Sequence, residues 1–227
     1  MARVSGRAEG KAMTGTLETR PVKIVGVSGS LKAPSRTIEL VEQIVEALGR
    51  HLATDVTLIR VNELGPYFAG ALNRSELPAE VEAALVEIET ADVLVVASPV
   101  YRASFTGLFK HLFDFVDQYA LVDTPILLAA TGGSERHALI IEHQFRPLFG
   151  FFQALTLPLG IYAHDSDFTD YKISSERLRE RLEKAVAKAV PLIRGNLAER
   201  EEIERALAGD LVREPEDVPR APVRLLS

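Results

Sequence analysis

The sequence of 227 residues contains no cysteine. Disulfide bonds, iron–sulfur clusters and thiol redox chemistry are therefore excluded, because each depends on cysteine sulfur. Long apolar runs are missing as well: the longest, such as residues 93–97 and 125–130, are far shorter than the roughly 20 residues that span a bilayer. We therefore expect a cytoplasmic protein without a membrane-spanning segment.

Positive charge is scarce and dispersed. The chain has 26 lysine and arginine residues against 32 aspartate and glutamate residues, a net charge of −6, and no block of consecutive basic residues. This balance argues against a nucleic-acid-binding surface and an anionic-membrane surface, although it allows one small anion site. The five histidines form no tight group with carboxylates in the sequence, so we expect no metal site.

The length is about one and a half times that of a typical domain of roughly 150 residues, which favours a single domain with tails. Residues 1–21 are rich in arginine, glycine, threonine and serine and lack the apolar stretch of a secretory signal, so we interpret them as a disordered extension. We predict one folded domain over residues 22–195. Residues 196–227 are predicted to form a polar tail with one short helix at 198–207.

Apolar strands and amphipathic helices alternate between the tails. Short runs of apolar, often β-branched residues predict strands at 22–28, 56–61, 93–97, 126–130 and 156–163. Segments with apolar residues at helical spacing separate these strands. Strands that alternate with helices need right-handed crossovers and therefore a parallel sheet. We predict an α/β fold, a flavodoxin-like five-stranded parallel sheet in the order 2-1-3-4-5 with helices on both faces.

Three distinctive loops follow the first, third and fourth predicted strands, at the edge where ligands of such sheets bind. The first, residues 28–37, leads into a helix and carries one glycine, four hydroxyl side chains and Arg36. These groups suit a phosphate monoester at a helix N-terminus. A tight turn at Gly29 with Ser35 as the helix N-cap explains the same residues equally well without a ligand.

The other two loops contain groups that suit a planar ligand: an aromatic side chain in one and uncovered backbone N–H groups in the other. In residues 98–104, Pro99 ends the strand and Tyr101 presents an amphipathic ring. In residues 131–134, two adjacent glycines expose backbone N–H groups that can approach a planar ligand closely. A strand exit and a plain turn are the commoner explanations of these loops. Because all three loops lie at the same edge of the predicted sheet, coincidence is a weaker explanation.

The loop motifs resemble those of a known family. They are Gly29-Ser30 with Pro34-Ser35-Arg36, then Ser98-Pro99-Val100-Tyr101 followed by Gly107 and Lys110, and Ala130-Thr131-Gly132-Gly133. In these motifs the chain resembles the NADPH-dependent FMN reductase family of flavodoxin-like folds, over roughly residues 22–190. Within that family it is most similar to the reductases of two-component alkanesulfonate and methanesulfonate monooxygenases.

The resemblance implies a role for each loop in binding FMN. The phosphate would be held by Ser28, Ser30, Ser35, Arg36 and Thr37. The ribityl chain and one edge of the ring would lie against Pro99, Val100, Tyr101 and Arg102. The flavin ring would contact the backbone of Thr131, Gly132, Gly133 and Ser134. Hydride passes from NAD(P)H to the flavin, so the cofactor carries the chemistry and the protein needs no catalytic acid, base or nucleophile.

One position in the helix predicted at 139–152 has a separate meaning in this family. Pro147 lacks an N–H and clashes with the carbonyl four residues back, that of His143, so we expect a disturbed helix there. The resemblance implies an inserted residue at His143 that opens a π-bulge, and a histidine resembles the methanesulfonate-type branch. His143 would lie at a subunit interface and help the flavin to leave. A polar residue beside a proline kink is the alternative.

The leading hypothesis is an NAD(P)H:FMN oxidoreductase that supplies reduced FMN to a partner monooxygenase, in sulfonate desulfonation. Two alternatives stay open: a quinone- or azo-type reductase with tightly bound FMN, and a flavodoxin-like electron carrier. The resemblance also implies a homodimer or homotetramer. An aromatic stripe is more often core than interface, but because the aromatic residues of the helical segment 105–116 cover more than one narrow face, we interpret them as a self-association surface. These are Phe105, Phe109, Phe113 and Phe115.

Overall fold

The structure is a computed structural model, and it describes residues 20–207. The extension predicted at 1–21 falls almost entirely outside the described residues, and so does the end of the tail predicted at 196–227. Among residues 20–207, no helix is both long and apolar enough to cross a membrane.

Six strands form one parallel sheet. They are β1 (Val22–Ser28), β2 (Thr54–Arg60), β3 (Val93–Pro99), β4 (Pro125–Gly132), β5 (Leu155–Thr156) and β6 (Ile161–His164). The order is β2-β1-β3-β4, with β5 and β6 both beside β4, and every pair is parallel. β3 is buried from Val93 to Ser98, as expected of an apolar central strand that is covered on both faces. The predicted fold class and strand order are confirmed.

Helices cover both faces of the sheet. They are α1 (Arg36–Gly49), α2 (Val61–Phe68), α3 (Ala79–Glu89), α4 (Gly107–Asp114), α5 (Arg146–Phe151) and α6 (Glu176–Leu207), with a π-helical turn, Ile141–Phe145, directly before α5. Ile24 and Val95 of the sheet pack with α1 and α6 on one face. Val25 and Val96 pack with the other helices on the opposite face. Because successive strand residues point to opposite sides, the sheet has a core on each face.

The fifth strand position is interrupted. The sequence predicts one strand over 156–163, whereas the structure has β5 beside the start of β4 and β6 beside its end. Pro158 lies in the gap, and it has no N–H to donate to a ladder. The Arg146 guanidinium binds two carbonyls of the gap, donating to Leu157 O at 3.0 Å and to Pro158 O at 2.9 Å. The strand therefore splits into two short pieces.

The aromatic residues of α4 belong to the core. Phe109 and Phe113 have exposed fractions of 0% and 1%, and the ring of Phe113 packs edge-on against Phe149 of α5. Phe145, in the π turn, contacts the rings of Phe105 and Phe109. Apolar residues occupy more than one face of α4 because the helix is enclosed by the first loop, by α2 and by α5. The interpretation of these rings as a self-association surface is therefore wrong.

The C-terminal helix crosses the predicted domain boundary. α6 continues through it without a break, so the helix predicted at 198–207 is the end of α6 and not a separate element. Near this boundary α6 is attached to the domain by Ile193, which is buried in the core, and by Leu197, which packs against it. Arg194 also donates to His51 O at 2.8 Å, and Asn196 donates to Asp123 O at 2.9 Å. Polar attachments of this kind leave no signal in an apolar periodicity.

A buried carboxylate lies at the amino end of β3, opposite to the loops. The Asp92 side chain is 3% exposed and accepts hydrogen bonds from Arg20 Nη1 at 2.5 Å, Arg20 Nη2 at 2.8 Å and the Lys23 N–H at 2.8 Å. Burial alone would raise the pKa of Asp92, but these bonds and the charge of Arg20 hold it below its ordinary value. As the pH falls through about 4, the Asp92 carboxylate therefore stays ionised in the folded state, whereas it takes up a proton in the unfolded chain.

We expect Asp92→Asn to lower the free energy of unfolding near neutral pH by about 1–3 kcal/mol, because hydrogen bonds to a buried charge are lost. The depressed pKa stabilises the fold above the unfolded-state pKa of about 4, and this contribution disappears as the pH falls through the lower folded-state value. Acidification should therefore destabilise Asp92→Asn less than the wild type. Urea titrations at several pH values measure the difference, with the exposed Asp55→Asn as control. Identical pH profiles for Asp92→Asn and wild type would contradict this account of Asp92.

Candidate functional site

The predicted loops converge at the carboxyl edge of the sheet. Pro99 lies beside Thr131 in register, and Gly132 lies beside His164, while Ser28 ends β1 in the same layer. The residues predicted to contact FMN therefore come together at this edge. They are Ser28, Ser30, Ser35, Arg36, Thr37, Pro99, Val100, Tyr101, Arg102, Thr131, Gly132, Gly133 and Ser134. The segment that follows β6 joins them.

The first loop is shaped by a helix cap and a glycine. Ser35 is the N-cap of α1, and its Oγ accepts from the Thr37 N–H at 3.1 Å and the Ile38 N–H at 3.4 Å. A Cβ on Gly29 would lie 2.7 Å from the ring of Phe109, so only glycine fits there. The N-cap at Ser35 is confirmed, whereas Gly29 is required by its contact with Phe109 and not by a tight turn. The cap does not exclude a ligand, because the N-terminus of α1 keeps its partial positive charge.

The hydroxyl groups of this edge are buried and largely engaged with the loops themselves. Thr37 Oγ1 and Thr131 Oγ1 lie 2.7 Å apart and join the start of α1 to the end of β4. Ser30 Oγ donates to Lys32 O at 3.0 Å, so its proton is used inside the loop. Ser28 is buried at the end of β1. Since each hydroxyl has one donor, these side chains brace the site more than they project into it.

Arg36 brings a positive charge with unused donors to this edge. Its Nη1 lies 3.2 Å from Oδ1 of Asp165, and its guanidinium lies 5.7 Å from the centre of the Tyr171 ring. Its Nε is buried and has no hydrogen-bond partner among residues 20–207. Buried donors in proteins are normally paired. The unpartnered N–H therefore marks a place that fits an anion.

The second loop is a tight reverse turn. The Tyr101 N–H donates to Ser104 O at 2.8 Å, and the Ser104 N–H donates to Tyr101 O at 3.1 Å. Between them, Arg102 and Ala103 have φ angles of 50° and 64°, in the left-handed region that residues other than glycine rarely adopt. Tyr101 is exposed at the rim of the site. Backbone strain of this kind is concentrated at ligand-binding loops.

Thr106 connects the first two loops, and sequence reasoning misses this role. Its Oγ1 donates to Gly29 O at 2.8 Å, and its N–H donates to Ser98 Oγ at 3.0 Å. Thr106 is also the N-cap of α4, since its Oγ1 accepts from the Phe109 N–H at 3.3 Å. A threonine directly before an apolar helix is a readable N-cap signal. Its contact with a loop far away in the sequence is not readable.

Tyr162 of β6 supports the glycine loop. Its O–H donates to Ser134 O at 2.6 Å, and a Cβ on Gly132 would come within 2.5 Å of its hydroxyl oxygen. Burial raises the pKa of Tyr162, so the phenol stays protonated and acts as a donor. Gly132 is therefore required by a side chain of the protein itself, whereas Gly133 beside it is exposed.

The helix after the glycine loop contains the π turn expected at His143. The N–H of Arg146 donates to Ile141 O, five residues back, so the turn holds one residue more than an α-helical turn. Pro147 follows directly and has no N–H for the next bond of the series. The proline therefore explains why the π turn ends there.

Two contacts attach the π turn to its surroundings. Gln144 Oε1 accepts from Ser104 Oγ at 3.1 Å, which connects the turn to the second loop of the site. Ile141 packs so closely on Gly160 that a Cβ there would lie 2.6 Å from its side chain. The side chain of His143 is exposed. His143 thus lies in a turn next to the site while its own side chain stays outside the core.

The same segment of chain matches a known protein family. A family model described as NADPH-dependent FMN reductase matches residues 22–169. The chain belongs to the NADPH-dependent FMN reductase family. The match includes all six strands of the sheet and the three loops at its carboxyl edge. The resemblance, the oxidoreductase class and the use of FMN and NAD(P)H expected from the sequence are confirmed by this membership.

Curated members of the family are similar over most of their length. The chain is 54% identical over 174 residues to the NADH-dependent FMN reductase SfnF of Pseudomonas fluorescens. The aligned region covers 77% of this chain and 93% of the relative. The chain is 52% identical over 177 residues to an FMN reductase (NADPH) of Pseudomonas aeruginosa, which covers 78% and 95%. Relatives named for each of the two nicotinamide nucleotides are thus about equally similar.

Solved structures share the architecture. An oxidoreductase from Corynebacterium diphtheriae superposes with a TM-score of 0.69 at 32% identity, covering 77% of this chain and 98% of that chain. The apo form of the NADH:FMN oxidoreductase EMOB superposes with a TM-score of 0.66 at 28% identity, covering 74% and 88%. Both likenesses agree with the family assignment.

Proposed function

We propose that this NADPH-dependent FMN reductase family member reduces free FMN with NADH or NADPH in the cytoplasm and releases reduced FMN to a partner monooxygenase. Release is the finer part of the proposal, and one observation carries it: the π turn Ile141–Phe145, which is bonded to the second loop of the site. From the resemblance to alkanesulfonate and methanesulfonate systems, the partner would act in sulfonate desulfonation.

Arg36 and the N-terminus of α1 are proposed to hold the FMN phosphate. The guanidinium offers a buried Nε that has no partner within residues 20–207, and such donors form strong charge-assisted bonds to phosphate. The first turn of α1 adds a partial positive charge on the same side. Ser30 and Ser35 line this loop and complete its polar wall. The free donor in this loop is Arg36 Nε, since the hydroxyls of Ser30 and Ser35 already bond within the loop among the described residues.

The second and third loops are proposed to hold the flavin ring. When bound, FMN supplies the hydride acceptor for NAD(P)H. Tyr101 provides an exposed aromatic rim, and Gly133 leaves its backbone uncovered on the other side. Backbone N–H groups at such a loop stabilise negative charge on the ring. The phenol of Tyr162, which stays protonated, donates a hydrogen bond to Ser134 O and holds this loop in place.

A reductase with tightly bound FMN, acting on quinones or azo dyes, is the second candidate. The π turn favours the first candidate, because an inserted residue costs helix stability in the segment that braces the second loop. Membership of a reductase family also favours an enzyme over a flavodoxin-like electron carrier.

Oxidation of NAD(P)H at increasing concentrations of free FMN tests the proposed function. We expect a purified protein that is colourless and whose rate rises and saturates with added FMN. A yellow protein whose rate depends on an added quinone or azo dye, and not on free FMN, would favour the second candidate. Parallel assays with NADH and NADPH give the nucleotide preference.

We also propose that the protein forms a homodimer or homotetramer. Since the rings of α4 are buried, another surface must carry the contact. A cleft between α4 and α5 is lined by Val116, Leu148 and Phe151, and Phe151 is 64% exposed. An exposed aromatic side chain beside an apolar cleft is suited to contact with a second chain. This cleft is therefore the proposed self-association surface.

We expect Phe151→Glu to lower the oligomeric mass at micromolar concentration while thermal stability stays near that of the wild type, because the side chain is exposed. The matched substitution Phe113→Glu places a charge in the core and should unfold the domain. Light scattering coupled to size exclusion measures the mass, and thermal unfolding measures the stability. A monomeric wild type would rule out the oligomer, and an unchanged mass for Phe151→Glu would rule out this surface.

A further inference from the structure

Asp165 lies between the two halves of the proposed flavin site. It follows β6 directly, and its carboxylate is 47% exposed. Oδ1 lies 3.2 Å from Arg36 Nη1, while Oδ2 lies 3.2 Å from the position that a Cβ on Gly133 would take. One carboxylate therefore contacts the guanidinium proposed for the phosphate and adjoins the glycine loop proposed for the ring.

The contact between Arg36 and Asp165 is easily replaced. The Arg36 side chain is 41% exposed and the contact measures 3.2 Å, whereas Arg20 holds the buried Asp92 through two nitrogens at 2.5 Å and 2.8 Å. Ion pairs between exposed side chains contribute little to stability. The Nε of Arg36, moreover, has no partner in the described part of the chain. An incoming anion can thus take the place of the carboxylate at modest cost.

A phosphate monoester needs the same guanidinium. To form a bidentate contact with Arg36, a phosphate must either displace Asp165 or accept a neighbour of like charge. Both routes lower the net affinity for FMN. Riboflavin has no phosphate, so its affinity is not lowered in this way.

We propose that Asp165 competes with the FMN phosphate for Arg36 and thereby keeps the affinity for FMN low. The inference rests on the proposed function, because it takes Arg36 as the phosphate-binding side chain. It adds a specific residue that favours flavin release, since the carboxylate pairs with the guanidinium again when the phosphate leaves. Tyr171, whose ring lies 5.7 Å from the guanidinium, keeps Arg36 in position in both states.

Titration of FMN and of riboflavin into Asp165→Asn and wild type, followed by flavin fluorescence, tests the proposal. We expect Asp165→Asn to lower the Kd for FMN about tenfold, or about 1.4 kcal/mol, and to leave the Kd for riboflavin unchanged. Combined with Arg36→Ala, the same substitution should have little effect on the Kd for FMN, because Asp165 then has no guanidinium for which to compete with the phosphate. Asp170→Asn, an exposed carboxylate on the same segment, removes an equal charge and should leave both affinities unchanged.

The outcomes distinguish this proposal from the assignment of Arg36 to the FMN phosphate, on which it rests. If the wild type binds FMN and riboflavin equally well, the phosphate assignment of Arg36 is wrong and the proposal falls with it. If the wild type prefers FMN but Asp165→Asn binds FMN equally or more weakly, the phosphate assignment stands and the competition by Asp165 is overturned. A tenfold gain that persists in the Arg36→Ala background would also overturn competition, since Asp165 would then act by simple repulsion.

Discussion

Arg36→Ala should weaken FMN binding about 10- to 100-fold and leave riboflavin binding unchanged. Charge-assisted hydrogen bonds are worth about 1.5–3 kcal/mol, which corresponds to one to two decades in Kd. The side chain begins α1 at the edge where the loops meet and has a buried Nε without a partner in the described residues. Quenching of flavin fluorescence on titration gives both dissociation constants.

Arg50→Ala is the matched control for this prediction. Arg50 caps the opposite end of the same helix, far from the loops, and is half-exposed like Arg36. We expect its affinity for FMN to equal that of the wild type. A loss of riboflavin affinity in Arg36→Ala as large as the loss of FMN affinity would show that Arg36 supports the loop and does not bind phosphate.

Deletion of His143 should produce a protein that purifies yellow and turns over free FMN at least about tenfold more slowly, a change of about 1.4 kcal/mol. The deletion removes the extra residue of the π turn, so that Arg146 and Ile141 become four residues apart and their bond closes an ordinary α-helical turn. A regular helix would hold the second loop more firmly through Gln144 and Ser104. The bound flavin fraction and the steady-state rate measure the effect.

His143→Ala separates the length of the turn from the chemistry of the side chain. Because the side chain of His143 is exposed and the number of residues in the turn is unchanged, we expect this variant to keep the π turn and to behave like the wild type. Circular dichroism shows whether the deletion variant folds. A folded deletion variant that stays colourless, with an unchanged rate, would mean that the π turn has no part in flavin exchange.

The sheet and the loops could be predicted because their signals are local. The apolar run of β3 and its Ser98-Pro99 exit specify a buried central strand with a loop at its carboxyl end. The alternation of strands and helices then determines the edge at which all three loops meet. A disturbed helix before Pro147 was also predictable, since the proline removes a donor from it, whereas the π turn itself was implied by the family resemblance.

The remaining features depend on contacts between distant parts of the chain. The run at 156–163 looks like one strand, and only the bonds from Arg146 to Leu157 and Pro158 show why it splits. The pairing of Arg36 with Asp165 has no local pattern either.

The broad apolar surface of α4 is compatible with either a core or an interface. In the structure this surface belongs to the core, because Phe145 and Phe149, from the π turn and α5, cover the rings of Phe109 and Phe113. A periodicity in one segment shows that a face is apolar, but it does not show which partner covers that face.

The central claim is that reduced flavin leaves the protein. The most direct measurement mixes protein and FMN at micromolar concentration, reduces the flavin anaerobically with NADH or NADPH, and separates free from bound flavin by ultrafiltration. The account predicts that most of the reduced FMN passes through the filter with the wild type, and that the variant lacking His143 retains it. Reduced FMN that stays with the wild-type protein would contradict the claim.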